Sequence, residues 1–248
     1  MHTVVVILNW NGVNHLQTYL PSVATFSNVP IYVIDNGSSD NSVHWLTENH
    51  PEIEIIQLEE NLGFAGGYNA GLKKINADRY VLLNSDVRVS SGWIESVNKS
   101  MLQNNWSICA PLILDDKNKE YYEYAGAAGG YIDKDGYMFC AGRLFHSTEK
   151  TNLNYNKDTE VFWASGAALF VDSKAWDEVN GLDADFYAHM EEIDLCWRLK
   201  SRGYKVGVCG TATVQHLGGG TLTASNPLKV FLNFRNNLLL LLKNQDGF

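Results

Sequence analysis

The hydrophobic positions of the first hundred residues follow two patterns that take turns. Thr3–Leu8 (TVVVIL) and Ile31–Asp35 (IYVID) are unbroken β-branched runs, too short for helices and without the polar alternation of a half-exposed strand. Both read as strands buried on two faces. Ile53–Leu58 and Tyr80–Leu83 read as a third and a fourth strand. Helical periodicity fills the intervals: His15–Phe26, where Pro21 must kink the helix or start a new turn, a stretch through Trp45 and Leu46, and Gly66–Ile75. Strand and helix alternating in this way predict a parallel sheet with crossover helices, whose ligands sit beyond the carboxyl ends of the strands. The loops Asn9–Asn14, Asp35–Asp40 and Asn84–Asp86 are therefore where chemistry is to be sought.

The second half is less regular. Asp115–Lys119 is a polar break, and Gly126–Gly142, rich in Gly and Tyr, suggests hairpins and a mobile excursion. Val161–Val171 returns to strand character, and Glu191–Arg202 reads as a helix stopped by Gly203. Val206–Val208 and Ala212–Val214 are short strands, and Pro227–Lys243 is a closing helix. With no internal repeat and no low-complexity linker, one α/β domain over residues 1–248 is expected. Residues 1–110 would form its ligand-binding half, 111–226 the half that completes the site, and 227–248 a closing amphipathic helix.

Composition narrows the function classes. Of 248 residues, 45% are hydrophobic and 12% aromatic, ample for a buried core. The 28 acidic residues outnumber the 19 Lys and Arg, giving a formal net charge of −9 and no basic stripe along which nucleic acid would be gripped. Cys109, Cys140, Cys196 and Cys209 form no CxxC pair, which argues against a zinc site and for reduced, buried thiols. No basic leader precedes the first strand and no window reaches eighteen apolar residues, so a cytoplasmic protein is expected.

Several constellations carry chemistry. Asp86, just past the fourth strand in Asn84-Ser85-Asp86, is poised to bridge a divalent cation to a diphosphate; taken alone it is more often an ordinary turn residue capping the next helix. Asp35-Asn36-Gly37-Ser38-Ser39-Asp40 and Asn9-Trp10-Asn11-Gly12 place polar groups and a Trp at strand ends, where they can read a base and a ribose or simply turn the chain. Gly63, Gly66 and Gly67 lack the GxGxxG spacing and follow the third strand, which demotes hydride transfer but leaves phosphate or ribose contact open. Glu191, Asp194 and Arg198 share one stripe of a helix while Glu192 points a quarter turn away, and either glutamate can serve as a general base. A solvated face laced with ion pairs is the alternative. His216 ends a strand before Gly218-Gly219-Gly220, a candidate flap.

Taken together, the segments VVILNWNG (5–12), VIDNGSSD (33–40), NLGFAGGYNAGL (61–72), LLNSDV (82–87), ASGAALFV (164–171), GLDADFYAHMEEIDLCWRLKSRGY (181–204), VQHLGGGT (214–221) and FRNNLLLLLKN (234–244) resemble the family 2 glycosyltransferases of the GT-A fold. The likeness is to their bacterial rhamnosyltransferase-like branch. It implies that Asn9, Trp10, Asp35 and Asn36 hold the base and ribose, with Asn69 and Ser85 nearby. It further implies that Asn84-Ser85-Asp86 stands where the family has its DxD motif, Asn replacing the first Asp, so that Asp86 ligates Mg²⁺ or Mn²⁺. His216 matches a histidine that joins metal and diphosphate in some relatives. Glu191-Glu192 matches a Glu-Asp pair whose second member is the usual base, which makes Glu192 the candidate and Glu191 its substitute. Gly166, Asp194 and Arg198 fall to the acceptor side.

The implied reaction is an inverting, metal-dependent transfer from a nucleoside-diphosphate sugar, of dTDP-rhamnose or UDP-hexose type, to a glycan or lipid-linked hydroxyl in cell-surface polysaccharide synthesis. The closing helix can dock on the domain, pack in a homodimer, or lie at the inner face of the membrane. Two rivals stand beside this reading. A catalytically inactive sugar-nucleotide or glycan-binding module would not need both Asp86 and the glutamate pair. A sugar nucleotidyltransferase would need a basic, glycine-rich loop after the first strand, where Asn9–Asn14 has one Gly and no base.

Overall fold

In the computed structural model, residues 1–151, 155–218 and 226–245 are described. Strands β1 (Thr3–Asn9), β2 (Ile31–Asp35), β3 (Glu54–Gln57) and β4 (Arg79–Asn84) run parallel in the spatial order β4-β1-β2-β3. Helices α1 (Val13–Phe26), α2 (Ser42–Asn49) and α3 (Gly63–Leu72) connect them. The unbroken apolar run of β1 is explained by its central place. Val4 and Val6 point into one core layer with α3 and the later helices, while Val5 and Ile7 point into a second layer with α1 and α2. All four are at most 1% exposed, and burying each is worth about 1.5–3 kcal/mol. Helix α1 continues through Pro21 as one element.

The sheet extends past β4 through the less regular second half of the chain. After the short strand β5 (Val87–Arg88) and helix α4 (Trp93–Asn104), strand β6 (Ile108–Asp115) enters the sheet. Two small hairpins follow, β7 (Gly130–Ile132) with β8 (Met138–Cys140) and β9 (Arg143–Leu144) with β10 (Ser147–Thr148). An edge strand β11 (Thr159–Glu160) leads to β12 (Ala168–Asp172), which lies antiparallel between β4 and β6. Helices α5 (Ser173–Glu178) and α6 (Glu191–Lys200) precede β13 (Val206–His216), which pairs parallel with β6, and α7 (Pro227–Asn244) closes the chain. The sheet is mainly parallel, as expected, with β12 and the short β5 and β11 antiparallel, and its path is β11-β13-β6-β12-β4-β1-β2-β3 with β5 on β13.

Three expectations are corrected here. Val161–Val171 is a strand only from Ala168; its first half is irregular because Trp163 is inserted against Gly130, where a Cβ would sit 1.8 Å from the indole. The two short strands at 206–208 and 212–214 are one strand with a register shift between Cys209 and Thr213. That shift falls opposite Pro111, which has no N–H to give the ladder. The glycine-rich helix begins at Gly63 rather than Gly66, and its inward glycines serve packing. Added Cβ atoms at Gly67 and Gly71 would lie 2.8 Å from Leu8 and 2.1 Å from Ile34, so these glycines let α3 approach β1 and β2.

Candidate active site

Every parallel strand ends on the same edge of the sheet, and the antiparallel β12 begins there. Asn9, Asp35, Asn84, Asp115 and His216 therefore share that edge with the turn before Ala168. At the β1–β2 end, Asn9 Nδ2 donates to Asp35 Oδ1 (3.1 Å) and to Ser38 Oγ (3.2 Å), while Asp35 Oδ2 accepts from the Ser38 amide (3.0 Å). Asn11 accepts through Oδ1 from the amides of Ser39 and Asp40, and Asp40 in turn accepts from the Val13 amide at the start of α1. Two loops are thereby sewn into one polar rim. Asn9 Oδ1 is buried without a partner, and a Cβ at Gly12 would lie 2.6 Å from it. Trp10 stands beside this rim, 46% exposed.

Beyond β4, Asp86 is 8% exposed and its Oδ1 lies 3.1 Å from His216 Nε2. Burial pushes the Asp86 carboxyl up, but the hydrogen bond and charge of His216, with His15, outweigh it and hold it below its usual value. Burial likewise pulls the His216 imidazole down, and Asp86, Glu123 and Asp116 together raise it above its usual value. Asn84 Nδ2 lies 3.4 Å from the same Nε2. Among the described residues no group of three His, Cys, Asp or Glu converges on one point. Two ligands still fit a cation that takes its remaining ligands from phosphate and water, the usual manner of Mg²⁺. The buried Nδ1 of His216 has no hydrogen-bond partner, and Glu123 Oε1 stands 3.8 Å from it, on the side from which a carboxylate can orient a ligating imidazole.

Glu123 escapes sequence reasoning because nothing in EYYEYAG (120–126) separates it from Glu120. Only the pairing of Leu114 with Tyr122, and the Glu123 amide donating to Ile113 O, bring it inside to 7% exposure.

The glutamate pair opens α6. Glu191 is buried at 5% exposure, whereas Glu192 is partly exposed and lies against Gly166, whose absent Cβ would sit 3.5 Å from it. Each keeps one buried carboxylate oxygen without a partner. Burial raises both carboxyls, Glu191 well above the usual range with the Glu192 charge as second cause; backbone amides at Gly166 and in the first turn temper the rise at Glu192. Gly166 also ties the pair to the rest of the site, since the next residue, Ala167, accepts from the Asn84 amide (3.0 Å).

Four named residues are engaged in hydrogen bonds within the fold. Asn36 spends its amide on Asn61, Gly63 and Leu62, and Asn69 spends its own on both backbone groups of Leu182, so each shapes the rim by bracing loops. Asp194, fully buried, accepts from Arg198, Lys243 and Asn244, while Arg198 also holds the carbonyls of Val179 and Gly181. The stripe read from the sequence is real, but Asp194 turns inward to α7 rather than toward solvent. Gly219 and Gly220 of the expected flap lie outside the described residues, as do 152–154 of the half expected to complete the site. All four cysteines are free and buried.

Comparison with known proteins places the chain in a family. Residues 4–173 match the model of Glycosyl transferase family 2. A Low-salt glycan biosynthesis hexosyltransferase, Agl10, of Haloferax volcanii is 23% identical over 243 residues, 95% of this chain and 74% of that protein. The N-acetylglucosaminyl-diphospho-decaprenol L-rhamnosyltransferase of Mycobacterium tuberculosis is 23% identical over 232 residues, covering 86% of this chain and 75% of its own. Among solved structures, GalNAc-T7 with UDP, GalNAc and Mn²⁺ superposes with TM-score 0.71 at 14% identity, over 97% of this chain and 47% of that one. The mannosyltransferase PcManGT from Pyrobaculum calidifontis, with GDP-Man and Mn²⁺, gives 0.67 at 10% identity over the whole of this chain and 65% of that one. This chain therefore spans about half to two thirds of those structures, and their likeness shows the GT-A fold.

Proposed function

Since the chain belongs to glycosyl transferase family 2, we propose that it moves a sugar from a nucleoside-diphosphate donor to a hydroxyl acceptor with inversion, using Glu192 as general base. One observation carries this reading. A carboxylate with a free oxygen opens α6 beside Gly166, on the strand-end edge that also holds the Asp86–His216 pair. Asn9, Asp35, Trp10 and Ser85 line the nucleotide side, with Asn36 and Asn69 bracing its loops. Glu192 removes the acceptor proton as the oxygen attacks the anomeric carbon, and a single displacement inverts that carbon without a covalent enzyme intermediate. A divalent cation, Mg²⁺ or Mn²⁺, held by Asp86 and His216 would offset the charge growing on the diphosphate.

The names of the relatives favour a dTDP-rhamnose or UDP-hexose type of donor and a glycan or lipid-linked acceptor in cell-surface polysaccharide synthesis. No described helix is long and apolar enough to cross a membrane. Contact with the inner membrane face, or with a second copy, would fall to the outward side of α7, where Phe231, Phe234, Leu238 and Leu242 are each more than half exposed.

Titration calorimetry with UDP and dTDP, with and without Mn²⁺, tests the binding half: Asp86→Ala should lose the metal-dependent part of the affinity. Glu192→Gln tests the chemistry. It should bind nucleotide as wild type does and turn over about 10²–10⁴-fold more slowly, the usual worth of a positioned base. Wild-type turnover in Glu192→Gln overturns the reading.

A further inference from the structure

The segment that leads into the glutamate pair is held in a conformation its residues do not favour. Between the 3₁₀ turn Ala184–Phe186 and α6, Tyr187, His189 and Met190 all have positive φ (62°, 71° and 72°), and none of them is glycine. Left-handed backbone at non-glycine residues persists only where the surroundings over-determine it. The Ala188 amide donating to Phe186 O (2.7 Å) closes a turn at Tyr187, and α7 holds the rest. Asn236 is fully buried, and its Nδ2 donates to the carbonyls of Phe186 (3.0 Å), Ala188 (2.8 Å) and His189 (2.7 Å). Those carbonyls can converge on one nitrogen only if the chain curls left-handed around it.

Arg235 locks the same amide from its other side. Its Nε and one terminal nitrogen donate to Asn236 Oδ1 (2.9 and 2.7 Å), and that terminal nitrogen also reaches the carbonyls of Asp185 and Phe186. An amide with its oxygen held in this way can present only Nδ2 to the loop. The far side of the curl is anchored as well: Tyr187 O accepts from the Phe64 amide (2.8 Å) at the start of α3. Met190, the last residue of the curl, is the N-cap of α6, and its carbonyl accepts from the Asp194 amide (2.9 Å). The rotation of the first turn of α6 follows from this frame. It sends Glu191 inward and leaves Glu192 against Gly166 with a free oxygen.

We propose that Asn236 and Arg235 are positioning residues for Glu192, acting through the 185–190 segment they curl. This rests on the reading of Glu192 as the base. Without Asn236 the half-buried carbonyls of Ala188 and His189 lose this donor and Phe186 O is left to Arg235 and the Ala188 amide, so the strained segment relaxes and the base leaves its place while the nucleotide rim at β1 and β2 is untouched.

The test uses the full chain with Mn²⁺ and whichever of UDP-glucose, GDP-mannose and dTDP-rhamnose the wild type hydrolyses with water as acceptor. Asn236→Asp keeps the shape and removes the donors; Arg235→Lys keeps the charge, loses the fork, and sits at a less buried position that tolerates change. Both should lower kcat at least tenfold with the KM and calorimetric Kd of the donor within twofold, and both should move the acid limb of the kcat–pH profile. Hydrogen exchange should quicken at the amides of residues 187–190 and of Phe64. Wild-type kcat in a folded variant overturns the proposal. So does a parallel loss of kcat and donor affinity with an unmoved pH profile, since that marks general loosening. Glu192→Gln is run alongside: if it is slow while both variants are fast, the clamp alone is wrong; if it is as fast as wild type, the base assignment falls and the clamp with it.

Discussion

The two glutamates at the start of α6 differ by one position and by what surrounds them, and that difference sets their chemistry. Burial first, then the charge of Glu192, raises Glu191, so the fold favours its protonated form. For such a group the stabilising contribution is complete below the ordinary glutamate value and is lost as pH rises through the raised one. Glu191→Gln should therefore melt higher than wild type at pH 8 and show no such gain at pH 4; a lower melting point at pH 8 contradicts the burial argument. Trp10 and Asn36, alike in the sequence as strand-end candidates, separate in the structure. Trp10 is half exposed and Asn36 is 2% exposed with its amide fully engaged. Trp10→Ala should weaken nucleoside diphosphate on the order of tenfold, the worth of one base stacked on an aromatic ring, at unchanged melting temperature. Asn36→Ala should chiefly lower the melting temperature.

At the scale of elements, the glycines of α3 show how a motif can mislead. Their density at a helix start suggests a ligand, yet Gly71 sits where a methyl group would lie 2.1 Å from Ile34. Gly71→Ala should cost about 1–3 kcal/mol through overpacking, read as a shift of the urea midpoint, with donor affinity retained if the helix settles back on the sheet. Strand β6 illustrates the opposite failure. Its apolar run carries Pro111, which has no N–H for a ladder, and no strand is expected there from the sequence. In three dimensions the irregularity of β13 absorbs the missing donor, so the strand survives. Glu123 owes its place beside His216 to that pair of strands.

At the scale of the molecule, the halves expected at residue 110 are not separable bodies. Strand β12 lies against β4 over Ala168–Asp172, and Arg79, 2% exposed, crosses the seam to Asp172 and to Asn98 of α4. A fragment ending at residue 110 would leave Val81 and Leu83 of β4 at an open edge. It should show weak far-ultraviolet dichroism, bind a hydrophobic dye and associate on sizing, in contrast to the full chain. A monomeric, cooperatively melting fragment would contradict the shared sheet. The Arg79 network points the same way: a buried guanidinium stripped of its carboxylate costs about 3–5 kcal/mol, so Asp172→Ala should destabilise by a like amount.

The sequence alone determined the four parallel strands and the loops that carry Asn9, Asp35 and Asp86, because hydrophobic runs and turn residues act over a few neighbours. It also placed the glutamate pair at a helix start, for the same local reason. What the tertiary structure decided is which of those polar groups remain free. Asn36, Asn69 and Asp194 look as available as Asn9 along the chain, but apart from the Asp194–Arg198 pair their side-chain hydrogen bonds run to residues 25 to 113 positions away. Glu123 and Asn236 acquire their partners in the same manner, across 93 and 50 residues. Burial and hydrogen-bond satisfaction depend on distance in space, and only the folded chain specifies that distance.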